Sequence, residues 1–249
     1  METQIEKKQD IGSILSVLQS DGFKKQISLA LPRHLNADRM CRIALTEVRK
    51  NQGLLNCDRN SLLGAIVQCS QLGLEPGNNL GHAYLLPYGR ECNLIIGYKG
   101  LIDLARRSGQ IISINAREVR ENDEFEIEYG IDEKLKHIPS MEDRGNLIGF
   151  YAIAKLKDGG HQFEYMTLSE INKIKDTSKS AKSRMSPWND YYEEMAKKTV
   201  IRRLFKYLPV SIEIQRAITL DEQADAGVQK MHYDEDIGFD DLTIVKETE

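Results

Sequence analysis

Positive charge at helical spacing is concentrated between Trp188 and Pro209, and this is the feature of the sequence most able to act chemically. From Met195 to Tyr207 the segment has no acid, and its cations are Lys197, Lys198, Arg202, Arg203 and Lys206. On an α-helix, where successive residues are about 100° apart, all but Lys197 share one arc, and apolar residues fill the other. A face of one sign repels itself unless it meets a polyanion. The pattern favours nucleic-acid contact over an ordinary solvated face.

Two further segments have a basic character and are candidates for the same role. The run YKGLIDLARRSG, residues 98–109, predicts a helix with a mainly basic outer face. The polar stretch at residues 175–187 predicts a loop, which we expect to clamp a DNA backbone. The cations of these segments that we assign to DNA binding are Lys99, Arg106, Arg107, Lys182 and Arg184.

Three tyrosines near these basic segments are candidates for stacking on bases. They are Tyr84, Tyr88 and Tyr98. The alternative is that they are core or sheet-face residues, which is the more common role of tyrosine in a strand. Basic faces with aromatic residues nearby are the combination that binds single strands without strong sequence preference.

Catalytic patterns are weak in this chain, and we predict that it is not an enzyme. No phosphate-binding G-x-x-x-x-G-K-[ST] loop occurs. The alternative function is a metal-dependent nuclease acting on DNA, for which Asp132-Glu133-Lys134 has a D-x-K form, with Asp123 or Glu124 upstream. Such chemistry needs carboxylates that converge on one or two Mg²⁺ ions. The sequence identifies no metal ligands.

The net charge of −4 hides an uneven distribution. Residues 219–249 contain ten acids and two lysines, a net charge of −8, which leaves +4 for residues 1–218. No run reaches the roughly 18 apolar residues of a membrane span, and the polar N-terminus lacks a signal-peptide core, so we expect a cytoplasmic protein with no membrane partner. Four cysteines without metal-ligand spacing predict free thiols that are buried or semi-buried.

The elements that would position these residues predict an α+β fold. We expect a helical N-terminal part, a β-hairpin at residues 80–97, and an antiparallel meander at residues 111–167, packed on the long basic helix from Trp188 to Pro209. Residues 1–10 are predicted to be a flexible N-terminus, residues 11–218 the DNA-binding and annealing domain, and residues 219–249 a disordered acidic tail.

Four runs of the sequence resemble a known family. They are ALPRH (30–34), QCSQLGLEPGNNLGHAYLLPYG (68–89), LIIGYKGLIDLARRSGQI (94–111) and WNDYYEEMAKKTVIRRLFKYLPVSIEIQRA (188–217). In these runs the chain resembles the RecT family of phage single-strand annealing proteins, and the match is collinear over roughly residues 12–218.

This resemblance implies a function in phage-type homologous recombination. It implies binding of single-stranded DNA and annealing of complementary strands without ATP, next to a partner 5′→3′ exonuclease. It also implies a homo-oligomer, as a ring or helical filament, that holds both the single strand and the annealed duplex. No cofactor is expected to be required, although Mg²⁺ assists members of the family, and a host single-strand-binding protein is a further candidate partner.

Overall fold

The computed structural model describes residues 14–33, 35–77, 80–179, 181, 186–231 and 233. The chain divides into two compact units. The N-terminal unit comprises Met1–Gly73, Leu85–Asn93 and Lys230–Glu249, and the sheet unit comprises Leu74–Tyr84 and Leu94–Gln229. No helix within the described residues is both long and apolar enough to cross a membrane.

Helices build the N-terminal unit, as the sequence predicts. Residues 14–19 are helical, and they are followed by α1 (Asp21–Ala30), α2 (Ala37–Lys50), a 3-10 turn (Gln52–Asn56) and α3 (Arg59–Gln71). The side chains of Ser20, Asn36 and Asp58 each accept a backbone N–H at the start of a helix. Such caps replace hydrogen bonds that the first turn of a helix lacks, which is why the helices begin at these residues.

Two features complete the core of the N-terminal unit. The prediction of free, buried thiols is confirmed for Cys41, Cys57, Cys69 and Cys92. The C-terminal part of the chain returns to this unit, where the ring of Tyr233 packs edge-on against Phe23 with the ring centroids 5.8 Å apart. Tyr233, like Met231, is therefore buried in a folded core.

The predicted hairpin at residues 80–97 is confirmed as β1 (Ala83–Tyr88) and β2 (Glu91–Ile96). The turn between them contains Gly89 at a φ of 63°, a backbone conformation that glycine adopts without strain. Helix α4 (Tyr98–Arg107) begins directly after β2. The basic run at residues 98–109 therefore forms a helix, as predicted.

A three-stranded antiparallel sheet forms the centre of the sheet unit. Its strands are β3 (Ile111–Arg120), β6 (Leu147–Leu156) and β7 (His161–Thr167), with β6 in the middle. Between β3 and β6 the chain forms a separate hairpin of β4 (Glu124–Glu128) and β5 (Lys134–Ile138). The antiparallel meander is therefore interrupted by an inserted hairpin. Two ion pairs connect its strands, one between Glu124 and Lys136 and one between Glu128 and Lys134.

The helices that follow the sheet correct two predictions. They are α5 (Leu168–Thr177), α6 (Pro187–Asp190), α7 (Tyr192–Leu204), a 3-10 turn (Phe205–Tyr207) and α8 (Ile212–Asp225). The prediction of one long helix from Trp188 to Pro209 is wrong, because Tyr191 has φ −136° and ψ 48° and separates α6 from α7. The α+β class itself is confirmed.

The acidic tail begins later than predicted. Helix α8 extends to Asp225, and Asp221, Gln229, Met231 and Tyr233 are buried. The side-chain oxygen of Gln229 accepts the N–H of Leu94 at 2.7 Å, and its side-chain nitrogen donates to the Leu94 carbonyl at 3.0 Å. The prediction of a disordered tail from residue 219 is therefore wrong for residues 219–225, whereas residues 234–249 lie outside the described part.

Candidate nucleic-acid interface

Helix α7 is basic in sequence, but carboxylates from other elements neutralise its cations. Lys198 is only 4% exposed, and its Nζ lies 2.6 Å from Oδ1 of Asp221. Asp221 is fully buried and also accepts from Arg202 Nη1 at 3.0 Å and from the backbone N–H of Ile96 at 3.1 Å. The prediction that Lys198 and Arg202 lie on an unneutralised cationic face is therefore wrong, because α8 packs its acids against that face.

Arg202 is the most strongly neutralised cation of α7. In addition to Asp221, its Nη1 donates to Oδ2 of Asp225 at 2.7 Å. Burial alone would lower the pKa of Arg202, but the charges of Asp221 and Asp225 outweigh it and raise the pKa above its usual value. In contrast, Lys206 lies in the 3-10 turn after α7 and is exposed.

Lys197, which the helical wheel places on the apolar arc, has acidic partners. Its Nζ lies 3.3 Å from Glu194 and 3.9 Å from Glu118 of β3. Glu118 also accepts from Arg144 Nη1 at 2.8 Å. Burial would raise the pKa of Glu118, yet its hydrogen bonds and the charges of Lys197 and Arg144 lower it. Lys197 thus links α7 to the sheet.

Arg203 also makes intramolecular ion pairs. Its Nε lies 3.3 Å from Glu164 of β7, and its Nη1 lies 3.2 Å from Glu170 of α5. Glu170 in turn accepts from the backbone N–H of Thr167 at the start of α5, and this bond, ahead of the contact with Arg203, lowers its pKa. Arg203 therefore ties α7 to the β7–α5 junction.

Helix α4 differs from α7, because its cations point to solvent. Lys99 and Arg106 are exposed, and seven residues separate them, so they lie on the same side of the helix about 10 Å apart along its axis. Arg107 is exposed as well, but it forms an ion pair with Asp103 one turn earlier. The structure thus leaves Lys99 and Arg106 as the predicted cations of α4 best placed to meet a phosphate.

Two glycines fix the position of the first turn of α4. A Cβ on Gly97 would lie 2.1 Å from the carbonyl oxygen of Gly81, and one on Gly100 would lie 2.2 Å from that of His82. No real side chain tolerates such distances, so the backbone before β1 packs directly on the helix. The Gly97 N–H donates to the His82 carbonyl at 2.9 Å and holds this arrangement.

Tyr84 and Tyr98 lie near the carboxylate of Glu194, and Tyr191 lies near Tyr84; we call Tyr84, Tyr98, Tyr191 and Glu194 the tyrosine cluster. Burial and a hydrogen bond to Glu194 raise the pKa of Tyr98 to about 12, and burial followed by the charge of Glu194 raises that of Tyr84. Tyr84 and Tyr98 are partly exposed, whereas Tyr191 is 66% exposed.

Lys99 lies beside this cluster, since a Cβ on Gly81 would be 3.1 Å from the Tyr84 hydroxyl and 3.5 Å from Cδ of Lys99. Tyr191 is not among the residues predicted from the sequence, because the helical pattern places it in the first turn of one long helix from Trp188 to Pro209. The dipeptide Tyr191-Tyr192 could have identified it. Adjacent residues of a helix are about 100° apart, so only one of the two rings can be buried on a given face.

The two upstream carboxylates of the nuclease alternative, Asp123 and Glu124, are engaged in ion pairs. The side chain of Asp123 is shielded from solvent and accepts two hydrogen bonds from Arg144, at 2.7 and 3.0 Å, and it lies 3.0 Å from Nε2 of His137. The Arg144 guanidinium holds the pKa of Asp123 well below its usual range. Glu124 pairs with Lys136. No three acidic, histidine or cysteine side chains of the described residues form a group that could hold a metal ion.

The remaining predicted site residues are not brought to the tyrosine cluster by the described structure. Tyr88 is partly exposed and belongs to the N-terminal unit. Lys182 and Arg184 lie outside the described residues. Their assignments to stacking and to DNA binding stay predictions.

Comparison with known proteins gives a consistent result. The model of the RecT family matches residues 38–236. Protein RecT of Escherichia coli (strain K12) is 56% identical over 218 residues, which cover 84% of this chain and 80% of that protein. The uncharacterized protein YqaK of Bacillus subtilis (strain 168) is 30% identical over 180 residues, which cover 72% of this chain and 62% of that protein.

Proposed function

The chain belongs to the RecT family of DNA-binding proteins, which act in recombination by annealing single strands, and from this premise we propose that it pairs complementary strands without ATP. The observation that carries the proposal is that Lys99 is exposed next to the tyrosine cluster, with Arg106 exposed two turns further along the same side of α4. Exposed cations neutralise phosphates, and exposed tyrosine rings stack on bases whatever their sequence.

Annealing requires that two polyanions approach each other with their base edges free. On this surface the phosphates of the first strand contact Lys99 and Arg106, while a ring such as Tyr191 supports a base from its face. A base held by its face or through its phosphate keeps its pairing edge available. Base-pair stacking, worth about 1.4 kcal/mol per step on average, then drives pairing, so no nucleotide hydrolysis is needed.

The cations of α7 have a supporting function in this proposal. Lys197, Lys198, Arg202 and Arg203 hold α7 against α8 and the sheet through the ion pairs described above. Since α7 supplies Glu194, this packing fixes one wall of the tyrosine cluster. Lys206, which is exposed, remains a phosphate contact, and so does Arg107 when its ion pair with Asp103 opens.

Partners follow from the family rather than from any single residue. We propose that the protein works with a 5′→3′ exonuclease that produces the single strands, that copies of the chain assemble as a ring or helical filament, and that a host single-strand-binding protein is a further partner. Mg²⁺ would assist by screening phosphates. No residue is assigned to it.

The decisive experiment mixes two complementary labelled oligonucleotides with the purified protein in the absence of ATP and follows pairing. We expect faster pairing than in a protein-free mixture, and the same rate for both would contradict the proposal. The variant Lys99→Glu/Arg106→Glu should bind a single strand more weakly and with a smaller salt dependence, because each phosphate contact contributes about 0.7 to the log-log slope.

A matched control is Lys155→Glu, which reverses an exposed cation at the end of β6. It makes the chain more negative without touching α4 or the tyrosine cluster. A decrease in affinity per reversed charge as large as that of the α4 variant would show that only net charge matters.

A further inference from the structure

Two cysteines of the N-terminal unit, Cys57 and Cys92, lie next to each other in the fold. Cys57 stands immediately before Asp58, the residue that caps α3, and Cys92 belongs to β2. The two thiol groups share a hydrogen bond, although α3 and β1 lie between them in the chain. The proposed DNA-binding surface uses neither thiol.

Hydrogen bonds that involve the backbone hold the two segments together. The Asp58 N–H donates to the Arg90 carbonyl at 2.6 Å. The Cys92 N–H donates to Oγ of Ser61 at 2.8 Å, and both of these residues are buried. Two cysteines whose Cα atoms are more than about 7 Å apart cannot be bridged unless the backbone moves. Because the hydrogen bonds keep Cys57 and Cys92 side by side, the fold itself supplies the approach that a disulfide needs.

The two thiols differ in reactivity. Cys57 is 7% exposed, whereas Cys92 is 1% exposed. The hydrogen bond from Cys92 lowers the pKa of Cys57, against the opposing effects of burial and of the charges of Glu91 and Asp58. The same hydrogen bond, followed by burial, raises the pKa of Cys92 well above its usual value. Since the thiolate is the nucleophilic form of cysteine, Cys57 is the better nucleophile, and Cys92 is placed to react with it afterwards.

We propose that Cys57 and Cys92 form a reversible oxidation site, at which hydrogen peroxide converts the two thiols into a disulfide. The Cys57 thiolate attacks one peroxide oxygen, the O–O bond breaks, and the released hydroxide takes up the proton that Cys57 lost. The sulfur of Cys92 then attacks the sulfenic acid at the Cys57 sulfur, the S–O bond breaks, and the hydroxyl leaves as water with the Cys92 proton. Two thiols and one hydrogen peroxide thus give one disulfide and two waters.

This oxidation site goes beyond the proposed function and does not depend on it. The disulfide adds a covalent link between the start of α3 and β2, where the reduced chain has hydrogen bonds. It also protects Cys57, because a sulfenic acid that meets no second thiol is oxidised further to the irreversible sulfinic and sulfonic acids. A thiol reductant restores both cysteines by exchange. The pair therefore keeps the reaction with peroxide reversible.

The test treats the full chain with hydrogen peroxide, alkylates the remaining thiols under denaturing conditions and maps the peptides by mass spectrometry. We expect a chain lighter by two hydrogen atoms before alkylation, in which Cys57 and Cys92 are linked and the other two cysteines, Cys41 and Cys69, are alkylated. Dithiothreitol should return all four thiols. The same treatment of the chain unfolded in urea should lose this specific link, because the hydrogen bonds that hold the two cysteines together are then absent.

Cys41→Ala is the matched control, since it removes another buried thiol. It should leave the disulfide unchanged, whereas Cys57→Ala should abolish it, and thermal melts verify that both variants are folded. The peptide map of the unmodified chain decides the matter even if a variant does not fold.

Several outcomes would overturn the proposal. They are four alkylated thiols after peroxide treatment, a sulfinic acid at Cys57 without a link, a bond from Cys92 to Cys69, and a bond between two chains. An equal yield of the link between Cys57 and Cys92 in the folded chain and in urea would also overturn it, because the fold would then contribute nothing to the reaction.

Discussion

Helices α7 and α4 are both basic in sequence, yet the structure uses their charges in opposite ways. In α7, Lys198 and Arg202 are turned towards the acids of α8, and Lys198 is almost entirely buried. In α4, Lys99 and Arg106 are exposed. Buried charges require partners, since removal from water costs several kcal/mol per ion, whereas exposed charges are free to bind a ligand. The difference shows that a basic helix is a binding surface only if no other element of the fold supplies its acids.

The largest effect is expected from removal of Asp221, the α8 carboxylate that Lys198 and Arg202 of α7 share. Asp221→Ala should lower the free energy of unfolding by about 3 to 5 kcal/mol, because it leaves Lys198 buried without a partner. Urea denaturation measures this change. Lys99→Ala on α4 is the control and should change the free energy by less than about 0.5 kcal/mol. A similar small change for Asp221→Ala would remove the distinction between the two helices.

Charge reversal within the α7 region itself should give the next largest effect. Arg202→Glu places a carboxylate next to Asp221 and Asp225 and should destabilise the fold by about 2 to 4 kcal/mol. Lys206→Glu reverses an exposed charge and should leave the fold intact while weakening DNA binding. Thermal melts and salt titrations of the two variants separate these outcomes. Weaker DNA binding by a fully stable Arg202→Glu variant would restore α7 as a phosphate surface.

Acid should reveal a second internal ion pair in the sheet unit, with a smaller effect. The pKa of Asp123 is lower in the folded chain than its usual value of about 3.9. Stability from this group is therefore complete above about pH 4 and is lost as the pH falls towards the folded value. Unfolding followed between pH 5 and pH 2 should show this loss. Arg144→Gln should reduce the loss of stability in acid. The same pH profile in this variant and in the unmodified chain would rule out the Asp123–Arg144 ion pair as its source.

The smallest effect is expected from removal of the residues after Tyr233. They carry seven acids and one lysine, so truncation should tighten DNA binding a few-fold at low salt and have little effect at high salt. Affinity titrations at two salt concentrations measure this. A truncation after residue 218 is the contrasting variant and should unfold the chain, because it also removes Asp221 and Gln229. A folded chain after that deeper cut would show that α8 is dispensable.

Local pattern predicts most of the elements of this fold. The hairpin predicted at residues 80–97 is found there, and antiparallel strands form within the meander predicted at residues 111–167, since alternation and turn residues are local signals. The inserted position of the β4–β5 hairpin is a matter of pairing order, which the pattern of each separate strand does not contain.

The site was harder to predict, because neutralisation is a long-range property. The wheel of α7 places Lys198 and Arg202 on one face correctly, but their partners Asp221 and Asp225 follow about twenty residues later in a segment whose acidity resembles a disordered tail. On α4 the one acid in the helix sequence, Asp103, lies one turn before its ion-pair partner Arg107. The local sequence of α4 is therefore sufficient to predict that Lys99 and Arg106 are exposed, whereas their contact with DNA stays a prediction.

The pair of hydrogen bonds between Gln229 and Leu94 has a consequence for solubility. A side-chain amide that both accepts from and donates to one residue of β2 imitates a neighbouring strand, and Asp221 does the same for the N–H of Ile96. An open strand edge is a template for pairing with other chains and for aggregation. Side chains of the C-terminal segment thus close this edge of β2, and loss of that segment would expose a surface prone to self-association.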